Sequence, residues 1–533
     1  MIDVNKAKQK ILDLAIRGKL TKQLKSDGNA ADLLVEIQNE KEKLIKQGKI
    51  KRDKKETYIY KDKKDNLYYE KFITTETDIL NKNVGAKQSE PEEKCIQDEL
   101  PFEIPDNWVW CRAKEIIEIK MGQSPRGVNI NNQKGMEFHQ GKIFFGDKFL
   151  KESNIYTKEI IKIAEANSIL LCVRAPVGEL NITKRDVCIG RGLCALKPYY
   201  SMSNNYVYYV FSLLKKYFND NSTGATFNAI SNDVILGTLI PLPPLAEQKR
   251  IVEKVEQLFD ILDKIDEAQK KYQKDKEILK SKIIEAGIRG KLTKQLKSDG
   301  NAKDLLDEIR KEKEKLIKEG KIKRDKKETY IYKKTSDNLY YEKYQDGTEK
   351  CIQDELPFEI PSNWVWCRAS QLLYLIAGTS YNKADIKSDG IRILRGGNIV
   401  ANQLVLFEDD VFVSASYQDE VKNVCKGDII LVASTGSKIT IGKPARILVN
   451  HHKTQIGAFL RIARMYKNSI SNYIWYIFNS SYYKNHILEN VKGTNISNIK
   501  NEYIEDMLIP FPPFVEQEKI VKQIEELLDS LDS

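Results

Sequence analysis

The feature that most constrains this chain is a long internal duplication. Arg17 to Ala30 reads RGKLTKQLKSDGNA, and Arg289 to Ala302 repeats it letter for letter. GKIKRDKKETYIYK occupies 48–61 and again 320–333; DNLYYEK occupies 65–71 and 337–343; CIQDELPFEIP occupies 95–105 and 351–361. Both copies then give NWVWCR, from Asn107 and from Asn363. Both later reach a proline-rich lead-in, IPLPPLAEQKRIV from Ile240 and IPFPPFVEQEKIV from Ile509. A repeat of this period means two copies of one scaffold. Between the blocks the halves diverge and keep only punctuation. GQS at 122–124 faces GTS at 378–380, ILL at 169–171 faces IIL at 429–431, and GAT at 224–226 faces GTN at 493–495. Drift alone does not leave one block untouched while its neighbour is rewritten. A shared partner for the scaffold and different ligands for the variable parts fit better. Recent recombination fits too, and the letter-perfect blocks would permit exchange of the variable parts between gene copies.

The lead-in opens a long helix in each copy. From Glu247 to about Gly287 the pattern predicts roughly 41 helical residues, ~60 Å at 1.5 Å per residue. Ile251, Leu258, Ile265, Tyr272, Leu279 and Ala286 fall seven apart, and Val255, Leu262 and Ile283 fill a second register. Gln269 and Lys276 interrupt this a/d seam. The C-terminal copy opens at Glu516, carries Ile520, Ile524, Leu527 and Leu531, and stops at Ser533, the counterpart of Lys264. The N-terminus begins at the counterpart of Gln273. The two termini therefore supply most of a second long helix, and residues 265–272 have no second copy. The repeat is circular. Shorter helices are expected near 30–47 and 302–319, each followed by a glycine, Gly48 or Gly320, placed to end it. The variable parts read as mostly β, with helical stretches near 206–218 and 473–478.

The expected fold class is α+β: two mixed, β-rich domains on a pseudo-twofold stalk of long antiparallel coiled-coil helices. The expected division is a helical region 1–60, a linker 61–112, a first variable domain 113–244 and a central helical region 245–333. A second linker 334–368, a second variable domain 369–513 and a terminal helix 514–533 follow.

Catalytic motifs fail one by one. An amine methyltransferase would show Asn or Asp before Pro-Pro-aromatic, but Pro512-Pro513-Phe514 follows Phe511, which cannot accept the amine's hydrogen bonds. Its twin, Pro243-Pro244, reads as a rigid start to a helix. The stretch from Gly436 to Lys443 has the wrong spacing for a phosphate loop. Only four histidines occur, His139, His451, His452 and His486, and the eight cysteines include no CxxC pair. The cysteines are expected to be buried or free thiols. Trp108, Trp110, Trp364 and Trp366 recur in both copies and are expected in the core rather than as base-stacking platforms. With 87 Lys+Arg against 76 Asp+Glu, the net charge of +11 suits a polyanion. The N-terminus lacks the apolar stretch of a signal peptide and no run is long enough to span a membrane, so a cytoplasmic location is expected.

The duplicated blocks and their order resemble the specificity subunit of type I restriction-modification systems, over nearly the whole chain. The paired PPLAEQKRIV-like segments are the most specific part, followed by the paired RGKL blocks and the tryptophan-bearing lead-ins. GQSP from Gly122, Arg191-Gly192 and GATF from Gly224 add to it. The resemblance implies that each variable domain is a target recognition domain reading one half of a split, asymmetric DNA site. The helices would fix the distance between half-sites and dock two methyltransferase subunits, leaving open whether two restriction subunits join. It further implies a chain that is not itself an enzyme, with S-adenosylmethionine, ATP and Mg held by the partners and no metal or cofactor here. The alternative is a coiled-coil interaction scaffold whose two divergent arms bind proteins.

DNA contacts are expected from polar residues in glycine-bearing loops at matching places in the two divergent domains. In the first they are Gln123, Ser124, Arg126, Arg174, Arg191, Thr226 and Asn228. In the second they are Thr379, Ser380, Tyr381, Asn382, Arg395, Asn398, Lys438, Thr494 and Asn495.

Overall fold

The computed structural model describes residues 1–53, 56–73, 93–223, 228–325, 328–437, 439–491 and 497–533. They form two compact units, Met1–Lys270 and Lys271–Ser533, and the fold is mixed helix and sheet in both. In the first unit the lead-in prolines join a strand to a helix. Leu239–Leu242 pairs antiparallel with Val109–Arg112, and the helix Leu245–Ile288 begins directly after Pro243-Pro244. Proline suits that junction because the first turn of a helix has no use for its N–H. In the second unit Leu508–Phe511 pairs with Val365–Arg368, and Pro512-Pro513 opens the helix Phe514–Asp532.

A buried carboxylate explains why distant blocks match letter for letter. Glu247 is fully buried and accepts hydrogen bonds from Thr21 Oγ1 (3.0 Å), Gln23 Nε2 (3.0 Å) and Trp108 Nε1 (2.9 Å). Glu516 accepts from Thr293 Oγ1 (3.2 Å), Gln295 Nε2 (2.9 Å) and Asn363 Nδ2 (3.0 Å). A buried charge is tolerable only when hydrogen-bonded in this way. The clasp ties the RGKLTKQ block, the NWVWCR block and the helix start together, so none can drift alone. Gly18 seals the same junction. Its φ is +67°, and a Cβ there would lie 2.4 Å from Pro105 Cγ. Gly290 repeats the arrangement against Pro361, at 2.6 Å.

The shorter scaffold helices are Ala30–Lys46 and Ala302–Lys318. Asn29 Oδ1 accepts from Ala31 N and Asn301 Oδ1 from Lys303 N, both at 2.9 Å, which caps each start. Gly48 and Gly320 take φ of +70° and +71° just past each end, as expected. All four tryptophans expected in the core are buried, and the eight cysteines are free, with Cys95 and Cys351 exposed.

The helix Val4–Ile16 runs antiparallel along the first part of Leu245–Ile288. Ile2 N donates to Gln269 Oε1 (2.7 Å), while Lys8 pairs with Asp263 (2.5 Å). In the second unit the terminal helix lies along the latter part: Lys280 pairs with Asp532 (2.8 Å), and Gly287 makes room for Ile524. The heptad seam is only partly buried, which corrects the sequence expectation. Ile251, Val255 and Leu262 are buried, but Tyr272 and Leu279 are 58% and 44% exposed. Tyr272 falls within 265–272, and no helix among the described residues buries it, while Leu279 stays half-exposed beside the Lys280–Asp532 pair.

The variable part of the first unit holds a four-stranded and a five-stranded sheet. The four-stranded sheet runs Leu180–Ile182, Ile169–Cys172, Leu193–Pro198, Ile117–Met121. In the second unit a six-stranded and a four-stranded sheet replace them. The central strands, Ile169–Cys172 and Ile429–Val432, are buried throughout. Among the described residues no helix is long and apolar enough to cross a membrane.

Candidate nucleic-acid interface

Five loops of the first unit are stitched together by backbone hydrogen bonds. Gln123 N donates to Ile189 O (2.9 Å), Gly190 N to His139 O (2.8 Å), Val173 N to Gly192 O (2.9 Å) and Ile230 N to Val173 O (3.0 Å). Glycine is required at the crossings. A Cβ on Gly122 would lie 2.2 Å from Gly190 O, and one on Gly192 would lie 2.1 Å from Gln140 O. This lattice brings Gln123, Ser124, Arg174, Arg191 and Asn228 into one loop cluster. Ser124 Oγ accepts from Arg191 N (3.2 Å), and Asn228 O accepts from Ala175 N (3.1 Å). Arg126 sits further along its loop, where its N–H and Asn129 Nδ2 both donate to Glu159.

Electrostatics separates two kinds of arginine in this unit. Arg112 donates to Glu70 and Glu99; burial opposes its charge, yet the two carboxylates hold its pKa above the ordinary value. Arg185 pairs with Glu137, whose own desolvation is overcome so that its pKa falls to about 2. That carboxylate also meets His139 Nε2 at 2.9 Å and fixes the strand Met136–His139. These arginines are structural. Arg174 and Arg191 are exposed, and among the described residues neither guanidinium has an ion pair or side-chain hydrogen bond. An unpaired exposed guanidinium is free to meet a phosphate or the O6/N7 edge of guanine.

The second unit repeats the lattice with different side chains. Thr379 N donates to Ile456 O (2.7 Å), Gly457 N to Leu394 O (2.8 Å), Ala433 N to Phe459 O (2.8 Å) and Ile499 N to Ala433 O (2.8 Å). A Cβ on Gly378 would lie 2.0 Å from Gly457 O. Bond for bond, Thr379 takes the place of Gln123, Ala458 that of Arg191, Phe459 that of Gly192, Ser434 that of Arg174 and Arg395 that of Gln140. Arg395 is exposed and has no ion pair among the described residues, whereas Arg392 and Arg464 are tied to Asp410 and Asp428.

Two expected contact residues turn inward. Asn398 is 2% exposed; its Oδ1 accepts from Arg395 N (2.8 Å), and its Nδ2 donates to Val405 O (3.0 Å) and Asp410 Oδ1 (2.6 Å). Thr379 is buried, and its hydroxyl donates to Gln455 Oε1 (2.7 Å). Both shape the loops and present no free polar group. Tyr381 is half-buried against Ile391, Ile393 and Val413, whereas Ser380 and Asn382 are exposed. Thr226, Lys438, Thr494 and Asn495 lie outside the described residues. Gln140, Ser434 and Phe459 also stand at matching lattice positions and are not singled out by the sequence. Their signal is the hydrogen-bond register, which the divergent letters conceal.

The family described as type I restriction modification DNA specificity domain matches twice, over 105–273 and 361–533. The EcoAI type I restriction enzyme specificity subunit of Escherichia coli is 24% identical, over 99% of this chain and 89% of its own. The putative MjaX specificity subunit of Methanocaldococcus jannaschii is 32% identical over 41% of this chain, which spans about half (53%) of that relative. A crystal structure of the HsdS subunit from Thermoanaerobacter tengcongensis is 35% identical over 32% of this chain and 41% of that one, with a TM-score of 0.29.

Proposed function

The chain belongs to the family of type I restriction-modification DNA specificity proteins, and on that premise we propose that it reads a bipartite, asymmetric DNA site, one half-site per variable domain. The observation that carries this reading is the pair of loop clusters: one backbone lattice, two sets of side chains. A shared lattice keeps the loops in the same rigid frame, while the changed side chains alter what each frame recognises. Arg174, Arg191, Gln123 and Asn228 serve the first half-site; Arg395, Ser380 and Asn382 serve the second. The helices act as an antiparallel coiled-coil ruler for the gap and as the docking surface for two methyltransferase subunits, with restriction subunits joining that complex. The chain supplies the address and the partners supply the chemistry, together with S-adenosylmethionine, ATP and Mg. The near-identity of the scaffold blocks supports docking of two copies of one partner.

A salt-titrated binding assay tests the reading. With its methyltransferase, the chain is expected to bind one gapped motif more tightly than a scrambled duplex, and affinity should fall steeply with salt. Equal binding to every duplex, or none, would favour the protein-interaction scaffold.

A further inference from the structure

We infer that Phe459 is a specificity-determining residue of the second recognition domain, reading the C5-methyl group of a thymine in its half-site. The inference rests on the DNA-reading function proposed above and adds a residue and a base to it. Three observations carry it. Phe459 is 69% exposed, an unusual setting for a large aromatic ring. Its backbone is nonetheless pinned, because its carbonyl accepts from both Ala433 N (2.8 Å) and Ser434 N (3.1 Å). It also occupies the lattice position of Gly192, next to Ala458 in the position of Arg191, so an aromatic ring stands at a turn where the first unit carries a guanidinium.

The exchange alters recognition chemistry in a definite direction. A guanidinium in the major groove favours guanine, whereas an apolar side chain there favours the thymine methyl. Arg395 lies one loop away on the same lattice: Gly457 N, two residues before Phe459, donates to the carbonyl of the residue preceding Arg395. The second domain therefore keeps a guanidinium but moves it to the neighbouring loop and gives the vacated turn to an apolar group. Ile439, 86% exposed in the loop after Ser434, adds a second apolar tip. A Phe side chain held on a fixed backbone loses little further freedom on contact, which suits a discriminating role.

The test uses the full chain with its methyltransferase subunits. The motif is first found by methylome sequencing, and the half-site read by the first domain is identified as the one changed by Arg191→Ala. In the other half-site each thymine is replaced in turn by uracil, which removes only the methyl group. At one position the wild type is expected to lose about fourfold in affinity, the worth of one buried methyl. Phe459→Ala is expected to lose a similar factor on thymine and to become indifferent to uracil there, with its melting temperature and first half-site discrimination unchanged. A second half-site without thymine overturns the inference, as does a wild type indifferent to uracil throughout. A Phe459→Ala variant that still senses the methyl also overturns it, and a ring inserted between base pairs would show as indifference of the wild type to uracil. A failure of the underlying reading looks different: no motif depends on the chain at all.

Discussion

Glu115 and Gln371 occupy equivalent places in the two scaffold copies but differ in chemistry. Glu115 Oε1 accepts from Arg112 N (2.9 Å), and the amide oxygen of Gln371 accepts from Arg368 N (3.1 Å). The Gln371 amide also donates to Thr329 O (2.7 Å), whereas the second oxygen of Glu115 is buried without a partner among the described residues. Burial raises the Glu115 pKa from 4.5 to about 7, against the pull of Lys114 and Lys41. Between those values the folded chain holds a proton that the unfolded chain has released, so this group's contribution to stability falls as pH rises through the window. Glu115→Gln should therefore match wild type near pH 4.5 and be more stable by about 1–3 kcal/mol above pH 7. Urea midpoints at the two pH values measure this, and an equal difference at both would refute it. A second residue-scale expectation concerns the clasp. Glu247→Ala strands the Trp108 N–H and two further donors, and should cost on the order of 3 kcal/mol in the same assay. The clasp partners were visible in the sequence only as letters that never change. Asn398 was misread because its exposure depends on Asp410, twelve residues away, and no local pattern reports that bond.

At the scale of elements, periodicity gave the long helix and both shorter ones nearly to their ends. It could not say which parts of an apolar seam find a cover. Ile524 is buried against Gly287, whereas Tyr272 is exposed on the long helix. Ile524→Ala should cost about 2–4 kcal/mol in urea unfolding, while Tyr272→Ser should change the stability of the isolated chain by less than about 0.5 kcal/mol. A large loss at Tyr272 would mean that a covering surface exists. The strands of the variable domains were legible as short apolar runs between glycines, but their order was not. Sheet order depends on pairings far apart in sequence, such as Ile117–Met121 with Leu193–Pro198, and the divergent letters hide that the two domains share them.

At the scale of the whole molecule, the duplication separates what must stay constant from what is free to change. Buried clasps, caps and proline-led helix starts hold the scaffold, and hydrogen bonds between backbone groups hold the reading loops without constraining most of their side chains. This division lets recognition diverge while the frame persists. On the proposed function, the two loop clusters read two different half-sites. Methylome sequencing of cells carrying the chain and its methyltransferase, as wild type and as Arg191→Ala, tests it most directly. The wild type is expected to show one asymmetric, gapped motif, and the variant relaxed or lost specificity in one half alone. A methylation pattern that does not depend on the chain, or a variant that alters both halves equally, would contradict it.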